Sequence, residues 1–202
     1  MKLYYFPGAC SLAVHIVLHE AGIPCEIERV DLGKKCTASG ADFLAINPKG
    51  FVPALQFDNG SVLTEAQVIM QYLADQTPEK YLVPPAGSMA RYRQMEWLSY
   101  IATELHKGFA PLFNPATTDA SRQTIQTNLA RQFDYVAAQL AKTGHIASER
   151  FTVADAYLFT ILSWAPYVEI DLGEWPELTA YLARIAARPG VKAAMMAEGL
   201  SK

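Results

Sequence analysis

Cys10 follows a Pro7-Gly8 break and opens an apolar run, Ser11 to Ala21, that Gly22 closes. At such a helix start the unpaired N–H groups and the positive end of the helix dipole favour a thiolate, so a nucleophilic or redox cysteine is chemically reasonable. Most free cysteines are instead small buried apolar residues, and position alone leaves both readings open. Cys10-Ser-Leu-Ala13 has no second cysteine three residues on, so a redox role here requires an external thiol. Val52-Pro53 follows the turn residues Asn47-Pro-Lys-Gly50. Proline at the start of a strand removes a ladder donor, and its peptide bond can be cis. A Val52 left unpaired could grip an extended peptide by strand-like pairing. An ordinary proline at a strand start is the competing reading. Thr64-Glu65-Ala66 starts another helix, whose free N–H groups suit a carboxylate. His15 and His19 have the i, i+4 spacing of a metal pair, but no third ligand is placed, and they are read as structural, with no metal site.

The elements that position these residues change character near residue 80. Before it, Lys2–Phe6 and Glu26–Leu32 read as strands around the first helix, with Ser11 as its N-cap. Val52–Phe57 and Ser61–Thr64 flank the Asn59-Gly60 turn of a hairpin, and a helix runs from Ala66 to Gln76. This order predicts a mixed sheet covered by helices, with at most a short helix in the loop before the hairpin. Thr77 to Gly87 contains three prolines and reads as a linker. Beyond it only helices are expected: Ser88 to about Phe113, with Met95, Leu98, Ala102, Leu105 and Phe109 as its apolar stripe; Asp119 to Lys142; one started by Thr152 and Asp155 as a capping box; Pro176 to Ala187; and a short last one after Pro189-Gly190. The fold class is therefore α/β plus all-α, with domains at 1–80 and 87–202.

Composition narrows the function classes. The 202 residues are 51% hydrophobic and 18% charged with a formal net charge of −3, enough apolar surface for a proper core. No basic block is present to neutralise a run of phosphates, which argues against nucleic acid as a partner. No segment approaches the roughly 18 apolar residues of a membrane span, and no targeting signal is apparent, so a cytoplasmic protein is expected. Cys10, Cys25 and Cys36 match neither a zinc site nor a disulfide framework and read as reduced thiols.

Pro7-Gly-Ala-Cys-Ser11, Asn47-Pro-Lys-Gly-Phe-Val-Pro-Ala-Leu55, Leu63-Thr-Glu65 with Ile69 to Asp75, Glu104-Leu-His-Lys-Gly108 and Phe151 to Tyr157 occur in order along the whole chain. Together they resemble a beta-class glutathione S-transferase, the bacterial type with a cysteine in its active site. The resemblance implies a thioredoxin-like N-terminal domain, a helical C-terminal domain and a homodimer. It also implies glutathione as co-substrate, with no further cofactor. Carried over residue by residue, it implies that Cys10 faces the glutathione sulfur and that His106 approaches the same sulfur. Lys35, with Lys34 as a neighbour one register away, would meet the glycyl carboxylate. Val52, before Pro53, would pair with the cysteinyl backbone, and Glu65 with the Ala66 N–H would receive the γ-glutamyl end. Glu104 would help bind the γ-glutamyl amine from the neighbouring subunit. Arg91 and Glu65 are candidates for a polar pair at the subunit interface.

Helical geometry independently places Ser99, Thr103 and His106 on one stripe, with Glu104 about 100° away from Thr103. Two positions depart from the family pattern: Ala66 stands where serine is frequent, and Ser99 where the nearest relatives tend to have asparagine. Each costs something like the 0.5 to 1.5 kcal/mol of an ordinary hydrogen bond. The implied reaction is conjugation of the glutathione thiolate to small hydrophobic electrophiles, with detoxification as its use. A redox variant runs through a Cys10-glutathione mixed disulfide. The alternative is a non-catalytic ligand-binding or regulatory protein on the same fold.

Overall fold

The computed structural model describes residues 1–200, and its first strand, β1 (Lys2–Tyr5), runs through the middle of a sheet with Leu3 and Tyr4 buried. Alternation along β1 sends Tyr4 to one face, against Phe43, and Tyr5 to the other, against His15. The helix α1 (Ser11–Ala21) follows, then β2 (Glu26–Asp31), β3 (Cys36–Thr37), the short α2 (Phe43–Ile46), β4 (Ala54–Gln56), β5 (Val62–Thr64) and α3 (Ala66–Asp75). The sheet order is β3-β2-β1-β4-β5: β1 and β2 are parallel, and the other neighbours are antiparallel. A mixed sheet in a thioredoxin-like domain was the expectation and is what the chain forms. Cys36 lies in the two-residue strand β3.

The apolar residues of α1 surround its whole circumference, so this helix must be enclosed on all sides. It packs on β1, on α3 and on the last helix, α9 (Pro189–Ala197). Ser11 is the first helical residue and not the cap. Its hydroxyl turns back to the N–H and C=O of Phe6, and Cys10 takes the cap position. Polar bonds fasten the last segment: Arg188 grips Glu20 with two hydrogen bonds of 2.6 and 3.0 Å, and the buried Glu198 receives the Gly8 N–H and meets His15 Nδ1 at 3.0 Å. Gly190 permits the approach, since a Cβ there would lie 2.8 Å from the Glu20 carboxylate.

Accordingly the chain divides into a sheet unit, Met1–Val83 together with the chain from Ala187 on, and a helical unit, Pro84–Ala186. The last helix therefore packs with the sheet rather than with the helices that precede it in sequence, as the range 87–202 had it.

The helical unit begins with α4 (Met89–Tyr100), whose N-cap Ser88 accepts from the Arg91 N–H. The helix expected to continue to Phe113 changes winding instead. Ile101–His106 is π-helical, α5 is only Lys107–Phe109, and Ala110–Phe113 is a 3-10 turn. Pro111 lacks the N–H that a straight helix would need there. Leu98, Ile101, Leu105 and Phe109 are buried, whereas Met95, expected inside, is 41% exposed. The remaining helices are α6 (Asp119–Thr143), α7 (Val153–Leu162) and α8 (Pro176–Ala186). All ten residues of α7 are buried. Its capping box forms as expected: Asp155 accepts from the N–H and hydroxyl of Thr152, and also from the Ile146 N–H and the Tyr181 hydroxyl. Among the described residues no helix is long and apolar enough to cross a membrane.

Candidate active site

In the sheet unit the candidate residues gather where elements end. The Cys10 thiol donates to the carbonyl of Val52 at 3.2 Å. The Val52–Pro53 peptide bond is cis, and the paired register of β4 begins only at Ala54. Burial pushes the thiol up to about 12, and the Glu65 carboxylate adds to the rise. The N–H groups of Cys10 and Ser11 pull the other way and lose. Desolvation thus opposes the helix N-terminus at the half-buried Cys10, and it raises the thiol rather than lowering it, in keeping with its role as a hydrogen-bond donor to Val52.

Asn47 organises the turn before Val52. It is buried, accepts the Lys49 N–H and donates its amide to the Phe51 carbonyl at 2.7 Å. Lys35 reaches the Gly50 carbonyl at 2.8 Å and lies 5.4 Å from the centre of the Phe51 ring, whereas the Lys34 side chain is 80% exposed. Of the two neighbours, Lys35 is the one that faces the turn. Glu65, just before α3, holds a left-handed φ of 71°, a strained setting for a residue with a side chain. Its carboxylate does not cap the helix. Lys49, which the sequence reading passed over, meets it at 2.6 Å. Ala66 begins α3, so its N–H has no acceptor within the helix.

In the helical unit Ser99 ends in α4, while Thr103, Glu104 and His106 lie in the π-helical segment, where the Lys107 N–H reaches back to the Ala102 carbonyl. The Thr103 hydroxyl contacts the Ser99 carbonyl at 3.1 Å and the Glu104 carboxylate at 2.9 Å. Side chains that a straight helix would hold about 100° apart therefore meet. Thr103 and Glu104 line a cavity of ≈ 360 Å³ with Lys107, Asn128 and Gln132. Gly108 lets this segment approach α6, since a Cβ would lie 2.8 Å from Leu129. His106 is half-buried, with Nδ1 2.8 Å from the Tyr157 hydroxyl and its ring edge-on to Trp164, centroids 4.9 Å apart. Arg91 is buried within the same unit and donates to the Pro84 carbonyl.

Known proteins place this arrangement. Family models described as the glutathione S-transferase N-terminal domain and C-terminal domain match residues 8–76 and 100–189. The chain belongs to the glutathione S-transferase family. Over 200 residues it is 50% identical to glutathione S-transferase GstA of Escherichia coli O157:H7, covering 99% of this chain and 100% of that one. A sphingomonad glutathione S-transferase solved with glutathione matches at 46% identity and a TM-score of 0.96, over 100% of both chains. The bacterial beta-class glutathione S-transferase of Sphingomonas chungbukensis matches at 44% identity and a TM-score of 0.96, again over 100% of both chains. The beta-class resemblance read from the motifs is borne out.

Within this glutathione S-transferase chain, Cys10, Val52 and Pro53 come together, and Lys35 faces the turn that precedes them. Ser99, Thr103 and Glu104 form a second group, linked by hydrogen bonds. Lys49, Tyr157 and Trp164 are the additions from structure. Lys49 lies in the turn of the Asn47–Leu55 stretch, sixteen residues from Glu65, and nothing in the hairpin register pairs the two. Tyr157 closes the Phe151–Tyr157 motif, but neither it nor Trp164 showed a link to His106, because those contacts span more than 50 residues of chain.

Proposed function

We propose that the protein conjugates the thiol of glutathione to small hydrophobic electrophiles, as a cytoplasmic homodimer and with glutathione as its only co-substrate. The family membership supports the transferase reaction. The observation that carries the mechanism is the Cys10 thiol, donating at 3.2 Å to the Val52 carbonyl beside the cis Val52–Pro53 bond. A protonated Cys10 suits a hydrogen bond to a neighbouring sulfur better than nucleophilic attack, which favours conjugation over the mixed-disulfide route.

Glutathione's cysteinyl backbone pairs with Val52, its glycyl carboxylate meets Lys35, and its γ-glutamyl end meets Glu65 and the Ala66 N–H. Glu104 serves the γ-glutamyl amine from the neighbouring subunit, with Ser99 and Thr103 beside it. His106 takes the proton of the glutathione thiol at Nε2, its Nδ1–H directed to the Tyr157 oxygen. Cys10 S–H then stabilises the thiolate. The sulfur lone pair forms the new bond to the electrophilic carbon, and the leaving group departs with its bonding pair, or in an addition the acceptor accepts the proton. Trp164 and the half-exposed Phe113, 5.6 Å apart and edge-on, offer an aromatic wall for an apolar electrophile.

Calorimetry with glutathione and a panel of electrophiles and disulfides, run on wild type and Cys10→Ala, tests this reading. Glutathione should bind with a Kd in the micromolar to millimolar range, about −8 to −4 kcal/mol. Cys10→Ala should keep part of the conjugation and lose disulfide exchange. Absence of glutathione binding to the wild type ends the transferase reading. Sedimentation at micromolar concentration should show a dimer.

A further inference from the structure

Glu65 has a resident ammonium partner in this structure. The Lys49 Nζ lies 2.6 Å from Glu65 Oε1 and 2.9 Å from Thr64 Oγ1. Neither side chain of the pair is buried: Lys49 is 54% exposed and Glu65 59%. Exposed pairs of this kind contribute little to stability, so the fold alone gives slight reason to hold a strained Glu65 opposite a lysine. Lys49 is well placed for something else. It projects from the turn that Asn47 braces and that leads directly to Val52. Side by side, Lys49 and Glu65 present one positive and one negative group, with the first N–H of α3 adjacent.

An α-amino acid terminus carries the complementary pattern, an ammonium and a carboxylate on one carbon. We propose that Lys49 is a specificity-determining residue for glutathione: in the empty protein it neutralises Glu65, and when the γ-glutamyl end binds, the substrate ammonium takes Glu65 while Lys49 pairs with the substrate α-carboxylate. This rests on the γ-glutamyl end docking at Glu65 and Ala66, as in the proposed function. One ion pair is exchanged for two, with no net change of charge at the site. Lysine suits the task because its ammonium is a compact charge on a flexible stem, able to swing from one carboxylate to the other.

Three thiols separate the contributions: glutathione, 4-aminobutyryl-cysteinylglycine, which lacks only the α-carboxylate, and glutaryl-cysteinylglycine, which lacks only the α-ammonium. Steady-state kinetics at saturating electrophile would compare wild type, Lys49→Met and Lys49→Arg. Wild type should prefer glutathione to the carboxylate-free analogue by about tenfold in KM, the size expected of a charge-assisted hydrogen bond. Lys49→Met should raise KM for glutathione by about that factor and cut its preference over the carboxylate-free analogue several-fold, to the part left by the Ala66 N–H, with kcat unchanged and Lys49→Arg restoring most of the preference. An equal rise in KM for all three thiols would make Lys49 only a brace for Glu65 and overturn the proposal. An unchanged or lowered KM for glutathione would overturn it too, the lowered value marking Lys49 as a mere competitor. Wild type that turned over none of the three thiols would overturn the glutathione reading and this proposal together, an outcome distinct from the other two.

Discussion

In the sheet unit the candidate residues sit at the ends of elements: Cys10 at the start of α1, Val52 before β4, Glu65 before α3. In the helical unit Ser99, Thr103, Glu104 and His106 follow one another along a single run whose winding changes from α to π. The first arrangement depends on turns and a left-handed φ set by short stretches of chain, which contacts such as Cys10–Val52 and Gly8–Glu198 then bring together. The second depends on how a helix packs, because the Gly108 contact with Leu129 and the buried neighbours of His106 come from other helices. Groups held at element ends depend on a few contacts between separate turns, and groups held by a packed helix share the stability of the whole unit.

That contrast breaks most directly at Asp155, which accepts four hydrogen bonds inside the helical unit. Asp155→Ala leaves those donors unsatisfied and should cost about 3 to 5 kcal/mol in urea unfolding. A loss below about 1 kcal/mol, the scale of a surface cap, would show that the helical candidates do not depend on this packing.

The next largest effect concerns the sheet unit. With the Cys10 pKa pushed up to about 12, the thiol stays protonated in the folded protein while an unfolded cysteine ionises near its ordinary value of 9.0. Its contribution to stability is therefore complete below that ordinary value and is lost as pH rises toward about 12. Iodoacetamide labelling of Cys10, followed by mass spectrometry, should accelerate about tenfold per pH unit from neutral upward without levelling off. A plateau near neutrality would restore the thiolate that the helix start alone suggests.

Smaller effects sharpen the comparison. Tyr157→Phe removes the partner of His106 Nδ1 and should lower kcat about three- to tenfold, the range of one ordinary hydrogen bond, while moving the acidic limb of the pH–rate profile. An unchanged profile would leave Tyr157 a packing residue. Ala66→Ser should tighten glutathione binding by a few-fold at most, since it adds one hydroxyl where the backbone donor already exists. Calorimetry on the two proteins decides it.

The same contrast explains what could be read from the sequence. The Asn59-Gly60 hairpin, the helix closed by Gly22 and the Thr152–Asp155 box were legible because each is a local rule written in adjacent residues. Ser11 looked like a cap for the same reason, but its hydroxyl is used by Phe6, across the turn. The winding change at 101–106 was hidden because a period of 3.6 is what a helical reading assumes. It parted Thr103 from Glu104, while Met95 was misplaced for a different reason: in α4 the buried stripe runs through the polar Arg91 and Gln94. Cys10 stayed open for a related reason: a helix start is visible in sequence, whereas the burial that opposes it belongs to the folded protein. Nor does the apolar pattern of residues 189–197 say which surface it covers.

The position of α9 bears on how the protein is made. Along the nascent chain the sheet and α1 leave the ribosome first, yet the helix that covers α1 follows the entire helical unit. Until then the apolar surface beneath α9 has no cover from its own chain. A translation product ending before residue 188 would lack Arg188 and Glu198 as fasteners. Because Glu198 closes on Gly8, two residues before Cys10, a side chain made after the whole helical unit fixes the loop that carries Cys10.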